Sequence, residues 1–427
     1  MEVDPPESSS SLTNFDLESY IGNYSGHGKL IRLQFIADRV GSALELEALR
    51  MAATTIKQSF GKGVNIDLWK EVLQRIGDRL GDEYRLDEEQ IERLQREAVK
   101  KQEKLESVLN TAKTQLIKES IRMANNDLGD FFYERGNLQV AFKCYVRTRD
   151  FCTTSRHISD MCLNVIRVSI ELGNFVHVAN YVQKGEQAPD KDDPISLAKL
   201  KCAAGLAALE NKKYKVAARS FVEVHSDLGS AYNDVISPQD VAIYGGLCAL
   251  ASFDRAEIKQ KVIDNTSFRN FLELVPEVRE LIQDFYSSRY ASCLSCLDGL
   301  QSMLSLDIHL HDHIDGPSGL YAQIRQKALI QYTTPYTSVN LHTLAAAFNT
   351  EIAAIEKELA ALIMDNQIQA RIDSHNKVLY ARHADQRSST FQKTLSTGQQ
   401  YMQDTKAFLL RASLLQHDMV QRSHGKK

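Results

Sequence analysis

Proline is scarce, with 8 residues in 427, and few fall inside periodic segments, so a largely helical chain is open to this sequence. No stretch offers eighteen apolar residues in succession, and the first residues lack a basic-then-apolar signal. Neither a spanning helix nor a secretory leader is expected. An excess of base is also missing. The 51 Lys and Arg against 55 Asp and Glu give a formal charge of −4, so no global attraction to nucleic acid or an anionic membrane follows. The seven cysteines (Cys144, Cys152, Cys162, Cys202, Cys248, Cys293 and Cys296) are odd in number and scattered through apolar stretches. That predicts buried thiols in a reducing compartment rather than a disulfide framework. A soluble intracellular protein, in cytosol or nucleus, is the expectation. No GxSxG, HExxH or dinucleotide fingerprint occurs.

Length allows two or three domains. Residues 1–15 are acidic, Ser-rich and Pro-containing, with too little apolar surface to offset ordering; residues 421–427 read the same way, so both are expected to be disordered. Residues 16–123 are helical by periodicity. Leu30, Leu33, Ile36 and Ala37 form one stripe, Leu44, Leu46, Leu49 and Ala53 a second, and Trp69, Val72, Ile76 and Leu80 a third. Gly41, Gly61, Gly63 and Gly81 punctuate them. From Asp87 to Met123 a charged run without Pro or Gly carries one apolar stripe. It predicts a single strut-like helix about 55 Å long at 1.5 Å per residue. The stripe keeps no clean heptad, which argues against a coiled coil.

Residues 124–316 repeat. Glu134-Arg-Gly-Asn-Leu138, Glu171-Leu-Gly-Asn-Phe175 and Glu210-Asn-Lys-Lys-Tyr214 lie 37 and 39 residues apart. Each follows an apolar helix and precedes a small residue: Ala141, Ala179 or Ala217. Leu128, Gly129, Phe132, Gly136, Ala141 and Tyr145 fit the tetratricopeptide spacing, where small residues let paired helices approach and aromatics fill the gap to the next pair. A further copy is expected at Arg289-Tyr290-Ala291, 76 residues on from the third. Such units predict a right-handed α-solenoid.

After Gly316-Pro317 the period changes. Residues 317–387 read as a helix over Leu320–Tyr332, an extended segment over Tyr336–Leu341 rich in β-formers, and then two helices. Leu344, Ala345 and Phe348 mark the first; Ile352, Ile355, Leu359, Leu362 and Ile363 mark the second. Ile368, Ala370 and Ile372 alternate, Ser374–Lys377 turns, and Val378 and Tyr380 alternate back. That is the order of a winged helix. Its would-be recognition helix carries Glu351, Glu356, Glu358 and Asp365 against Lys357 alone. Duplex binding would need cations there, because neutralised phosphates supply most of the affinity; the module is expected to meet protein. Thr390–Met419 then forms an amphipathic helix with Phe391, Leu395, Met402, Phe408, Leu409, Leu414 and Leu415 apolar. No core remains downstream for it to cover, which points to a partner's helices.

The segment Asp307-Ile-His309-Leu-His311-Asp312-His313-Ile-Asp315 concentrates metal-ligand residue types. If extended, its three histidines would share one side. Zinc hydrolases that cleave ubiquitin-like conjugates pair a His-x-His-Pro stretch with an Asp eleven residues beyond the second His. Ala322 and Ile324 stand at that distance from His311 and His313, so the third ligand is missing and a connector is expected. Cys293-Leu-Ser-Cys296 lacks the second pair a zinc site needs and reads as structural thiols. Gly245-Gly246 follows no strand and reads as a close helix contact. Lys199, Lys201, Lys212, Lys213, Lys215 and Arg219 read as a solvated helical face.

Helical repeats ending in a winged helix and a long last helix resemble the PCI-domain scaffolds, shared by the signalosome, the proteasome lid and a translation initiation factor. Residues 338–373 (SVNLHTLAAAFNTEIAAIEKELAALIMDNQIQARID) are similar to the PCI signature throughout. LIKESIRMANNDLGDFFYERGN (116–137), RTRDFCTTSRHI (147–158) and residues 237–294 closely resemble one scaffold family of the constitutive photomorphogenesis 9 (COP) signalosome, particularly its plant members. The resemblance covers roughly residues 15–420. It implies a mainly α fold: a right-handed solenoid of TPR-like repeats, a PCI domain over about 255–387 with a small β-sheet, and a bundle helix over 388–420. It also implies a non-catalytic scaffold in the complex that deneddylates cullins of cullin–RING ubiquitin ligases and so regulates ubiquitin-dependent degradation. In plants that complex represses photomorphogenesis. The isopeptidase site would lie on another subunit, leaving no catalytic, cofactor or metal residue here. Implied partners are other PCI and MPN subunits, through the winged helix and last helix, and cullin–RING ligases, through the N-terminal solenoid, with no nucleic acid and no membrane. Val339, Leu341, Ile368 and Ile372 around the sheet, whose edges would offer unpaired backbone groups, and Leu409 and Leu414 on the last helix are the nominated partner-binding residues. A proteasome-lid scaffold and a winged-helix DNA-binding regulator are the alternative readings.

Overall fold

The computed structural model describes residues 16–58, 65–77, 79–81, 84, 88–187, 193–314, 316, 319–382 and 386–417. The two terminal segments expected to be disordered lie outside them. The chain divides into two compact units, residues 1–331 and 332–427.

The first unit begins with α1 (Leu17–Gly22), α2 (Gly26–Arg39), α3 (Ser42–Gln58) and α4 (Ile66–Ile76). Asp16 and Asn65 start α1 and α4 by accepting the amides of Ser19 and Leu68, which satisfies donors a helix cannot pair internally. Leu30, Leu33, Ile36 and Ala37 of α2 share a core with Leu49 and Ala53 of α3, Trp69, Val72 and Ile76 of α4, and Leu306 from far along the chain. Next comes α5 (Glu88–Gln115), 28 residues long, or about 42 Å. The single helix expected through Met123 is interrupted. Leu116 takes a left-handed φ of 56° and α6 (Lys118–Glu134) begins afresh. The break lets α6 fold back, so that Leu109 and Ala112 pack with Ile121, Ala124 and Leu128. That tertiary gain outweighs local propensity, and no Gly or Pro announces it.

The repeats are α6 with α7 (Leu138–Arg147), α8 (Ser155–Glu171) with α9 (Phe175–Gln187), and α10 (Pro194–Glu210) with α11 (Tyr214–Val222). Beyond them lie α12 (Pro238–Ser252), α13 (Arg255–Glu257), which runs into a π-helical turn (Ile258–Ile263), and α14 (Thr266–Leu272). Then come α15 (Pro276–Tyr286), α16 (Tyr290–Leu304), α17 (His311–Ile314) and α18 (Leu320–Thr333), within whose last turn the boundary of the unit falls. The repeat motif is a recurring helix stop. At Gly136, Gly173, Lys212 and Ser288 φ is 77°, 68°, 56° and 62°. In each case the next amide reaches back to a carbonyl of the preceding helix: Asn137 to Phe132, Asn174 to Ser169, Lys213 to Ala208 and Arg289 to Asp284. This satisfies carbonyls at the helix end. The fourth copy expected at Tyr290 is therefore present in the same geometry. Lys212 and Ser288 hold that conformation without glycine, at about 1–2 kcal/mol each.

Ala141 and Ala217 are fully buried. Ala179 is exposed, and Val178, one position earlier, takes the buried place; the alignment slipped by one because an alanine stood beside the true position. A second repeat of 76 residues appears in the packing. Gly129 faces the ring of Tyr145 and Gly205 that of Phe221, each so closely that a Cβ would lie 2.6 Å from the ring. Gly245 and Gly246 are likewise close helix contacts, against Phe268 and Val278. Of the basic run, Lys201 pairs with Glu186 and Glu223, while Lys215 and Arg219 pair with Glu257.

The second unit holds β1 (Ser338–Asn340), α19 (Leu341–Ala347), α20 (Ile352–Met364), β2 (Ala370–Asp373), β3 (Val378–Ala381) and α21 (Gln386–Gln416). The sheet is antiparallel in the order β1-β3-β2. Val339, Leu379 and Ile372 stand opposite one another across it. Leu379 is buried and Tyr380 is 41% exposed. This reverses the face expected for β3, where Val378 and Tyr380 read as the apolar alternation; a one-residue shift exchanges the faces of a strand. The expected strand also ends a residue early. Asn340 accepts the amide of His342 at 2.8 Å and caps α19, so Leu341 belongs to the helix.

Candidate assembly surface

The winged helix is closed by its own side chains. Val339, Leu341, Leu344, Phe348, Ile355, Leu359, Leu362, Ile368 and Leu379 are all buried. Three residues nominated for assembly, Val339, Leu341 and Ile368, therefore point into the module's core. Ile372 is half-buried. Their side chains hold the sheet together, and what the sheet can offer outward is the backbone of its outer strands, β1 and β2. The wing turn is set by Asp373, whose carboxylate accepts the amides of His375 and Asn376 at 3.1 and 3.2 Å. These bonds and one from the Asn376 side chain hold its pKa below the usual carboxylate range. Glu356 on α20 is bound to Lys377 of the wing at 2.8 Å, so one of the helix's two acids is compensated, and α20 presents no excess of cations.

A different surface stands out on α21. Every described side chain from Thr390 to Ser413 is exposed. Phe391, Tyr401 and Phe408 are 66%, 72% and 71% exposed. Leu395, Met402 and Leu409 recur at steps of seven, and Tyr401, Phe408 and Leu415 form a second row beside them. At 100° per residue the two rows cover a little under half of the helix circumference. That is wider than the seam of a two-stranded coiled coil and suits a helix inserted among several others. Leu409, nominated from the sequence, lies in this face. Leu414 lies on the opposite side and is half-buried. Tyr401 is the member of this face that the sequence reading omits; its seven-residue spacing from Phe408 and Leu415 was the available signal.

The Asp-His segment has separate duties. Asp307 is buried and accepts from Tyr244 at 2.7 and 2.8 Å, from Tyr20 at 3.3 Å and from the amides of His309 and Leu310. Arg32, 3% exposed, reaches Asp307 at 3.5 Å and Asp240 at 3.4 Å, donates to the Val235 carbonyl at 3.3 Å and stacks on Tyr24 at 4.1 Å. Tyr24 in turn donates to Asp240. This set ties α1 and α2 to α12 and the 307–310 turn, so the N-terminal helices are clasped to the distal part of their own unit. Burial raises the Asp240 pKa despite Arg32. Burial acts on Asp307 too, but Arg32, His309 and its many donors outweigh it and hold it low. Burial beside Arg32 lowers His309 to about 4, so its imidazole is neutral. The three imidazoles diverge: His309 against Tyr244, His311 on Phe35 and the Ile308 carbonyl, and His313 against Tyr214 and Glu210. Among the described residues no group of three His, Cys, Asp or Glu could hold a metal ion. All seven cysteines are free thiols, and burial pushes Cys293 up to about 12. No described helix is long and apolar enough to cross a membrane.

Residues 87–261 match the family of 26S proteasome subunit RPN7, residues 297–383 match the PCI domain, and residues 386–413 match the C-terminal helix of COP9 signalosome complex subunit 1. The last match falls on the exposed face of α21. COP9 signalosome complex subunit 1 of Arabidopsis thaliana is 59% identical over 96% of this chain and 92% of its own length. Subunit 1b of Drosophila melanogaster is 40% identical over 94% of this chain and 85% of its own. The 26S proteasome non-ATPase regulatory subunit 6 of Oryza sativa is more distant, at 24% over 69% of this chain and 75% of its own. With full-length likeness to the former, and with the helix particular to that family present at its end, the chain belongs to the COP9 signalosome complex subunit 1 family.

Proposed function

We propose that the chain is a non-catalytic scaffold subunit of a COP9 signalosome complex, joined to other PCI and MPN subunits through its winged helix and α21. The observation that carries this reading is α21, a 31-residue helix with aromatic and aliphatic side chains in solvent along its length. Isolated helices are marginal in water and draw their stability from an apolar face packed on something. The outer strands β1 and β2 give the winged helix a backbone edge for neighbouring copies of the same module. The complex removes Nedd from cullin–RING ligases, and in plants represses photomorphogenesis. The isopeptidase centre is assigned to another chain, in keeping with the separate packing roles of His309, His311 and His313. The N-terminal region is the face for cullin–RING ligases, and the complex works in nucleus and cytoplasm.

Truncation after Arg387 tests the reading. The shortened chain should keep the urea midpoint of its Trp69 fluorescence, yet be absent when the complex is purified through another subunit. Normal incorporation would sink it. A proteasome-lid scaffold is the second reading, favoured by the RPN7 match over residues 87–261. Mass spectrometry of the co-purifying chains separates the two. A DNA-binding role is opposed by the acids of α20.

A further inference from the structure

At the end of the RPN7-like match, the π-helical turn, α14 and α15 enclose a cleft of about 220 Å³. Its floor is apolar, from the buried side chains of Val262, Leu272 and Ile282. Around the floor stand three cations, each on a different element: Lys259 on the π-helical turn, Arg269 on α14 and Arg279 on α15. All three are exposed, and none has an ion-pair partner among the described residues. Neighbouring bases behave differently. Lys215, Arg219 and Lys261 converge on Glu257, Arg289 holds Asp284, and Lys327 holds Asp254. Glu257, Asp284 and Asp254 thus go to other bases. Asp264, Glu273, Glu277 and Glu280 stand on the same elements or at their ends, and none is ion-paired to the three cleft cations, which rise over a hydrophobic floor.

The backbone adds a second observation. The Asp264 amide donates to the Lys259 carbonyl at 2.9 Å, a bond across five residues that widens the helix at the cleft wall. Such turns are rare and occur frequently at functional sites.

An occupant must match both features: negative charge for the rim and an apolar group for the floor. A bare phosphate or inositol polyphosphate would leave the floor empty. A bilayer would meet the basic rim, but the apolar floor is recessed from a flat surface, and the chain's net charge of −4 gives no general attraction. We propose that this cleft binds an acidic peptide segment of a partner protein, seating one aromatic or aliphatic side chain on Val262, Leu272 and Ile282 while flanking carboxylates engage Lys259, Arg269 and Arg279. The arrangement follows the usual division of an interface, with an apolar anchor at the centre and charges at its rim.

The test uses the full chain and a fluorescein-labelled heptapeptide of Asp and Glu with one central Phe, read by polarisation. Binding should weaken as salt rises and fall by about tenfold or more in R269E/R279E, since reversal of two rim charges replaces attraction with repulsion. It should fall similarly when the peptide's Phe is replaced by Ala. K393E, on α21, should bind as the parent chain does. If R269E/R279E has a shifted urea midpoint, R269Q/R279Q takes its place. Equal affinity in parent and charge-altered chains, or no binding to the parent, overturns the proposal. So does charge-dependent binding to phosphatidylserine vesicles with none to the peptide, which would make the site a lipid contact.

Discussion

Replacing Arg32 by methionine removes the guanidinium shared by Asp240 and Asp307 while keeping a long apolar stem, so the change isolates charge from packing. The guanidinium is nearly without solvent contact and holds two carboxylates at 3.4 and 3.5 Å. Removing one partner of such a buried set costs about 3–5 kcal/mol, because the remaining charge is left in a poor dielectric. Here the two acids keep their tyrosine and amide donors, which places the expected loss at the lower end, about 3 kcal/mol at pH 8. Asp307 loses the largest of the groups that hold it low. Burial already raises Asp240 against the pull of Arg32, so without Arg32 its folded pKa should stand further above its unfolded one. Such a group favours the fold below its unfolded pKa and loses that contribution as pH rises through its folded pKa. The deficit should therefore shrink at pH 5.5, where the acids can take up protons. Trp69, the chain's one tryptophan, is 3% exposed in the core that contains Leu33 and Ile36 of α2, so its fluorescence follows this region in urea. R32M/D240N/D307N should recover more than half of the loss. An unchanged midpoint for R32M at pH 8, or a deficit equal at both pH values, would refute the account of the cluster as a charge-compensated clasp.

Gly28 lies where α2 crosses the 234–235 segment, and a Cβ there would sit 2.0 Å from the Asp234 carbonyl oxygen. A backbone atom cannot rotate aside, so G28A should lower stability by about 2 kcal/mol or more in the Trp69 urea assay, whereas G41A, with nothing within 4 Å, should leave it nearly unchanged. Glu171 is held among Tyr133, His27, Arg167 and Asp234, and burial raises its pKa from 4.5 to about 7 against the pull of Tyr133 and Arg167. Its contribution is present below pH 4.5 and lost as pH rises through 7. E171Q should thus unfold at higher temperature than the parent at pH 8, by at most about 3 kcal/mol of stability, and match it near pH 5; a constant offset across that range would count against this assignment.

Much of the architecture is legible in the residues because it repeats. The three Glu-x-Gly-Asn and Glu-Asn-Lys-Lys copies encode a helix stop with a left-handed residue, and that local rule survives into the fold at all four positions. The wing's existence follows from the alternation of Ile368, Ala370 and Ile372 and the Ser374–Lys377 turn. What the sequence withholds depends on partners distant along the chain. Leu116 breaks α5 from α6 with no glycine to mark it, because the gain lies in packing Leu109 on Ile121 and Leu128. Arg32 reads as one polar residue in an amphipathic helix, and only the approach of residues 240 and 307 makes it the centre of a buried charge set. The register of β3 was lost for a related reason: Val378, Leu379 and Tyr380 are all apolar, so alternation alone could not choose a face. On the candidate surface, Val339, Leu341 and Ile368 are named for their place around the sheet, and the sequence alone does not say that the module buries them.

Two long helices in this chain pose opposite problems for stability in solvent. In α5, 12 of 28 residues are charged, and pairs such as Arg93 with Glu97 and Arg96 with Glu92 run along it. Each contributes only a few tenths of a kcal/mol, but together with solvation they let a helix stand in water with one narrow stripe buried. In α21, 5 of 31 residues are charged, so few intrahelical pairs of that kind can form, and its exposed positions include Phe391, Tyr401, Met402, Phe408 and Leu409. Burying side chains of this size stabilises by about 1.5–3 kcal/mol each, so the two rows together hold more than enough apolar area to bind the helix tightly to neighbours. Left in water, the same area is a liability for aggregation. The composition of α21 is therefore inconsistent with a solvated strut like α5 and consistent with a helix completed only by other chains. By the same logic the subunit on its own should self-associate through α21, and L395D/L409D should restore a monomer in analytical ultracentrifugation without moving the Trp69 urea midpoint; a monomeric parent chain at micromolar concentration would contradict that reading of the helix.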